Sequence, residues 1–177
     1  MLSRLRAEID AAYETGTLST SVRYKDAIKL SYLNAVVREG LRVHHSLGTG
    51  LPRIVPKGGA EIAGHWVPEG STVIVNANAI HMDKTIFGED ADVFNPDRWL
   101  DEKRAATMAR HDMSFGYGPR ICVGRHITMV EMYKLLPAIL REFSFDFEMP
   151  ETEWKVWHGW FQHQRDVKVR VKERALA

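Results

Sequence analysis

The sequence predicts a mainly α chain with small β-sheets, an α+β arrangement. Three segments place apolar residues at helical spacing, near the N-terminus, around residues 24–44 and over 125–142. Between and after them stand short alternating runs, EIAGHWVPEGSTVIVN, FSFDFEM and DVKVRVK, that read as half-exposed strands. A breaker-rich stretch, GTGLPRIVPKGG, separates the helical texture from the first strands.

The elements follow in chain order. Leu2, Leu5, Ile9 and Ala12 give one helical face, which Gly16 ends. TLSTS is a loop. The next helical pattern, Tyr24 to about His44, breaks near Leu30-Ser31, with Ser31 as the expected N-cap and Leu33, Val36, Val37 and Leu41 as the buried stripe. Two short strands are expected around a tight turn at Gly64-His65, with a second turn at Pro68-Glu69-Gly70. Residues 77–82 suit one helical turn. The polar stretch from Lys84 to Asp112 has little periodicity and is expected to be a long structureless segment, which in a compact domain is functional or held by its own side chains. Arg125 to Glu142 is the clearest helix, with Ile127, Val130, Leu135, Leu136, Ile139 and Leu140 as its apolar set and a kink expected at Pro137.

Composition narrows the function. The 177 residues suffice for one core or for a piece of something larger. A formal net charge of +1 leaves no bulk basic field of the kind a nucleic-acid binder needs. One cysteine excludes an internal disulfide framework and the multi-cysteine zinc sites, and makes a reducing compartment the default. No apolar run has the length of a membrane span, and MLSRLRAEIDAAYETG reads as a charged amphipathic helix, not a signal peptide.

The lone thiol, Cys122, stands in FGYGPRICVG. By residue type alone it is a small buried hydrophobe. Its neighbours suggest otherwise. Gly116 and Gly118 permit unusual backbone conformations and close approach to a flat ligand, and Arg120 places fixed positive charge near the sulfur. The start of the following helix adds free amide donors and a partial positive charge. A thiolate held this way suits a soft metal ligand or a nucleophile, but no histidine stands in a recognisable local arrangement with it.

Phe115 to Gly124 fills every fixed position of Phe-x-x-Gly-x-Arg-x-Cys-x-Gly, and so resembles the haem-binding loop of the cytochrome P-450 family of haem-thiolate monooxygenases. Further motifs follow in the family's order. Glu39-Gly40-Leu41-Arg42 resembles the family's Glu-x-x-Arg helix, and Val93 to Trp99 resembles the later segment whose arginine joins that pair, here Arg98. Without the resemblance, Glu39 and Arg42 would be a solvated helix pair worth about 0.3 kcal/mol. The resemblance implies a buried Glu39–Arg42–Arg98 network that supports the site without being catalytic.

It also implies the site. Cys122 would be the axial iron ligand. Arg120, and Arg53 of Leu51-Pro52-Arg53, would hold the haem propionates, with Phe115, Gly116 and Gly124 completing the cofactor cradle. Thr49, Trp160 and Phe161 resemble substrate-lining positions. The resemblance implies haem as the cofactor. It further implies electrons from NADPH through a separate reductase and a small organic substrate; Arg125, Lys134 and Arg141 put positive charge on one side of the last long helix, read first as a solvated face and alternatively as a docking face for an acidic electron donor. The likeness is strongest to fungal members.

Family members are typically far longer. The resemblance therefore implies that residues 1–177 form one partial domain, the C-terminal segment of the fold. The N-terminal half, with the oxygen-side helix and the endoplasmic-reticulum membrane anchor usual in the family, would be absent; without an anchor the location would be cytoplasmic. No catalytic residue is assigned for that reason. The face that meets the other half should be apolar and exposed. Two alternatives stay open: a non-catalytic remnant or interaction module, and a cysteine-nucleophile hydrolase.

Overall fold

A computed structural model of the chain describes residues 1–148 and 155–175, and the backbone alone at His158. Helix α1 (Leu2–Glu14) turns its Leu5, Ile9 and Ala12 inward and ends at Thr15, with Gly16 following at φ +73°. A short helix α2 (Tyr24–Ala27) leads into α3 (Ser31–Val43). Ser31 does not cap α3. It is the first helical residue, and its hydroxyl donates to Glu8 of α1. The same Glu8 carboxylate accepts from the Tyr32 and Leu33 amides at 2.8 Å each, so a neighbouring helix satisfies the free N–H groups.

The breaker-rich stretch is not wholly irregular. Strand β1 (Pro52–Ile54) pairs antiparallel with β4 (Thr72–Ile74), Arg53 opposite Val73. The tight hairpin β2 (Ala60–Ile62) and β3 (His65–Val67) stands between them. The two strands expected around this turn are thus present, and two further short strands join them. The turn at 77–82 is α4 (Ala77–His81).

Residues 84–112 are not structureless. They hold α5 (Lys84–Phe87), a 3-10 turn (Pro96–Trp99) and α6 (Glu102–Ala109), whose N-terminus is capped by Asp101. Each is too short to show a period, and a side chain accepting a backbone amide starts each one: Asp83, Asn95 and Asp101.

Helix α7 (Arg125–Glu142) runs through Pro137. Its buried side is Tyr133, Pro137 and Leu140, joined by Met129, Met132 and Leu136, and packs on α1, α2 and α3 in the main core with Leu5, Ile9, Leu33 and Val37. Of the apolar set read from the sequence, Ile127, Val130, Leu135 and Ile139 are exposed. The helix is apolar on both sides, and periodicity alone cannot say which side meets the core. A second cluster, Ala35, Phe87, Trp99 and Met108, lies on the other side of α3.

Strand β5 (Phe143–Phe147) pairs antiparallel with β8 (Val169–Glu173). The expected run FSFDFEM extends to Met149, outside the described residues. Hairpin β6 (Lys155–His158) and β7 (Gln162–Arg165) lies between these two strands in sequence. Its turn is held at Ser46–Gly48, where Gly48 N–H donates to Trp160 O at 3.1 Å and Gln162 N–H to Ser46 O at 2.8 Å.

Candidate functional site

Glu39 and Arg42 lie on the α3 face turned to the second cluster, 0% and 1% exposed. The Glu39 carboxylate accepts on Oε1 from Arg42 Nη2 at 2.8 Å, Arg98 Nε at 3.0 Å and Asn95 N–H at 2.8 Å. On Oε2 it accepts from Arg42 Nε at 2.9 Å and Trp99 Nε1 at 2.8 Å. Burial pushes this carboxyl up; the donors Arg42, Asn95 N–H and Trp99 outweigh it and hold the group below the usual carboxylate range. The other guanidinium donors go to main-chain carbonyls and, from Arg98 Nη1 at 2.9 Å, to the Asp90 carboxylate. Arg42 donates to His81, Ala91 and Val93, and Arg98 to Phe87, Asp90 and Val93. Two buried arginines thus hold residues 87–99 against the helix, which is why that stretch needs no periodic pattern.

Trp99 and Asn95 are members of this network that the sequence did not single out. So is His81. Its ring is fully buried, with Nδ1 3.0 Å from the Arg42 carbonyl and Nε2 accepting from Met113 N–H at 2.9 Å. Burial pushes its proton affinity below the usual imidazole value, and the Asp112 carboxylate, 3.6 Å from Nε2, works against that.

Met113 begins the cysteine loop. Gly116 N–H donates to Met113 O at 2.9 Å, with Gly116 at φ +77° and Gly118 at φ +73°, a region that favours glycine. After the 3-10 turn Gly118–Arg120, Cys122 N–H returns to Phe115 O at 2.9 Å and closes the loop. Cys122 is exposed, not the small buried hydrophobe its type suggests. Around it Tyr117, Ile121, Val123 and Ile127 are also exposed, while Phe115 and Gly124 are half-buried. Helix α7 begins three residues on, and Arg125 N–H donates to Cys122 O at 3.3 Å.

A mostly apolar cleft of about 470 Å³ opens beside the loop, lined among others by Leu47, Thr49, Arg53, Val73, Gly116 and Tyr117. The β-hairpin turn carrying Trp160 and Phe161, both about half exposed, abuts its Leu47 side through the Leu47–Phe161 bridge. Arg53 is exposed, its Nη1 on the adjacent Pro52 carbonyl, and Arg120 is exposed; no carboxylate among the described residues pairs with either. An accessible soft donor, apolar walls and two guanidiniums with no counter-charge among the described residues fit a flat apolar group bearing carboxylates and an iron centre. Lys134 and Arg141, seven residues apart, lie on one side of α7, where the Arg141 guanidinium is 4.0 Å over the Tyr13 ring; Arg125, about two and a half turns from Lys134, stands on the opposite side of the helix.

A family model described as Cytochrome P-450 matches residues 1–170. The fungal protein cytochrome P-450 monooxygenase ACRTS1 of Alternaria alternata is 41% identical over 175 residues, covering 98% of this chain and 46% of the relative. A pisatin demethylase of Fusarium vanettenii is 40% identical over 174 residues, covering 98% of this chain and 33% of the relative. A crystal structure of a cytochrome P-450 superposes with a TM-score of 0.82 at 30% identity, over 98% of this chain and 38% of that one. The chain therefore spans from a third to just under half the length of these relatives.

Proposed function

The chain belongs to the cytochrome P-450 family, and from that premise we propose that residues 1–177 act as one partial domain, the thiolate side of a haem-dependent monooxygenase. The single observation that carries the reading is the exposed thiol of Cys122 on a closed, glycine-shaped loop beside an apolar cleft and two guanidiniums that have no carboxylate partner among the described residues. Cys122 Sγ would ligate iron. Loop amides would hydrogen-bond that sulfur and tune its electron donation. Arg120 and Arg53 would orient the cofactor by its carboxylates, Phe115 would pack against it, and Gly116 and Gly124 would keep the loop backbone clear of it. The haem, when bound, supplies the iron chemistry that inserts an oxygen atom of O₂ into an organic substrate with electrons from an NADPH-dependent reductase.

The chain's own residues then bind and exclude water. Thr49, Trp160 and Phe161 would border a small, largely apolar substrate, and the cleft's apolar walls would keep solvent from the reacting centre. The exposed side of α7, with Ile127, Val130, Leu135 and Ile139, supports a working form completed by a further portion of the fold that supplies the oxygen side. Among the described residues no helix is long and apolar enough to cross a membrane.

Haemin titration tests the reading. The reduced, carbonylated protein should show a Soret band far to the red, lost in Cys122→Ala. Failure to take up haemin, even with the rest of a relative's fold supplied in trans, would favour a non-catalytic remnant instead.

A further inference from the structure

The buried ion network and the cysteine loop meet at one side chain. His81 ends α4 and is 0% exposed. Its Nδ1 is 3.0 Å from the main-chain carbonyl of Arg42, an acceptor only, so Nδ1 carries the hydrogen. Its Nε2 lies 2.9 Å from Met113 N–H, a donor only, so Nε2 carries a lone pair. The ring is therefore neutral, in one tautomer, with both nitrogens committed. On its own main chain, His81 O accepts from Arg42 Nη1 at 2.7 Å. The Glu-x-x-Arg helix is thus tied to the residue at which the loop begins. Met113 O in turn holds Gly116 N–H, and Phe115 O holds Cys122 N–H, each at 2.9 Å.

We propose that His81 is a positioning residue for Cys122: as a neutral Nδ1–H imidazole it hands the rigidity of the Glu39–Arg42–Arg98 network to the root of the cysteine loop and so fixes where the sulfur stands. The consequence for the thiolate rests on the haem-thiolate reading; the coupling to the loop does not. Every charged or titratable neighbour bears on how the latch responds to acid. Arg42 faces the ring from α3, with its charge already taken by Glu39, and His45 meets it edge-on with ring centroids 5.5 Å apart. Asp112 lies 3.6 Å from Nε2 and accepts from Ser114 N–H at 2.9 Å. A proton added at Nε2 would set two donors against each other at Met113. The ring would then exchange Met113 N–H for the Asp112 carboxylate, and acid would release the loop while the Glu39 network stays closed.

The experiment is hydrogen exchange with nitrogen-15 NMR on the haem-free chain. Near neutral pH the wild-type His81 ring should show Nδ1 protonated and Nε2 bare; the other tautomer or a charged ring overturns the proposal. In His81→Phe the Met113 amide should lose about tenfold in protection, the equivalent of one hydrogen bond, while the Asn95 amide on Glu39 keeps its own. Unchanged Met113 protection, or equal loss at both amides, overturns it. His81→Gln, which can return an acceptor to Met113, should recover protection and should lack the wild-type loss in mild acid. If His81→Phe does not fold, that acid comparison between wild type and His81→Gln decides: parallel behaviour of the two overturns the proposal. These readouts need no haem, so a chain that never binds haemin would defeat the functional reading and leave this coupling to stand or fall by itself.

Discussion

Glu39→Gln tests the centre of the fold. The carboxylate accepts three hydrogen bonds on Oε1 and two on Oε2, from Arg42, Arg98, Asn95 and Trp99. A glutamine keeps one oxygen. Its amide nitrogen does least harm at the Oε2 position, where it confronts the Arg42 Nε–H and Trp99 Nε1–H donors. Those two lose their acceptor, and Arg42 loses its buried counter-charge. Arg98 keeps Asp90 at 2.9 Å. Removing one partner of a buried ion pair costs about 3–5 kcal/mol. Against a total stability of about 5–15 kcal/mol, that is a large share. For a chain of this size it lowers Tm by about 6–20 °C. Urea unfolding followed by tryptophan fluorescence reads it, because Trp99 sits in the network. The control is Lys84→Ala, which breaks the exposed 3.4 Å pair with Glu89 and should cost under about 0.5 kcal/mol. A Glu39→Gln midpoint indistinguishable from that control would refute the reasoning.

The same carboxylate sets part of the acid response. Its folded proton affinity is depressed below the ordinary 4.5, so its contribution is fully present above that pH and is lost as pH falls through the folded value. Stability measured across this range should fall more steeply in wild type than in Glu39→Gln; parallel curves contradict the assignment. Gly118→Ala meets no neighbouring atom within 4 Å, so only its φ of +73° resists, and the loss should be about 1–2 kcal/mol by urea titration. At the start of α3, Glu8→Ala removes the acceptor of two helical amides and should cost about 0.5–2 kcal/mol. Ser31→Ala should cost clearly less, and the reverse order would restore Ser31 as the cap.

The sequence made some features plain and hid others for physical reasons. Helix α1 was legible because it has one apolar face and one core to meet, and α3 because its Leu33 and Val37 side meets that same core. Glu39 and Arg42 were legible as neighbours on a helix, yet their depth depends on residues 87–99, where Arg42 donates to the Ala91 and Val93 carbonyls and Glu39 accepts from Asn95 N–H. That segment carries no periodic signal because the guanidiniums of Arg42 and Arg98 and a few unevenly spaced apolar residues, Phe87, Ala91 and Trp99, fix it. Ser31 obeyed the local rule for a cap and lost to a carboxylate arriving from α1. In α7 apolar residues circle the helix, so the core side was chosen by α1 to α3. The loop around Cys122 was readable from its glycines and arginine, since backbone shape there is written in residue type. His81 gave no sign, because both its partners are remote in sequence and are main-chain atoms.

The proposed sulfur–iron bond can be tested directly. Iron-edge X-ray absorption on the haemin-loaded protein, completed with the rest of a relative's fold if the chain alone binds weakly, should show a sulfur scatterer in the iron's first coordination sphere. The same preparation of Cys122→Ser should show none. A wild-type spectrum with only nitrogen and oxygen neighbours, or a sulfur signal that survives the substitution, would contradict the assignment of Cys122.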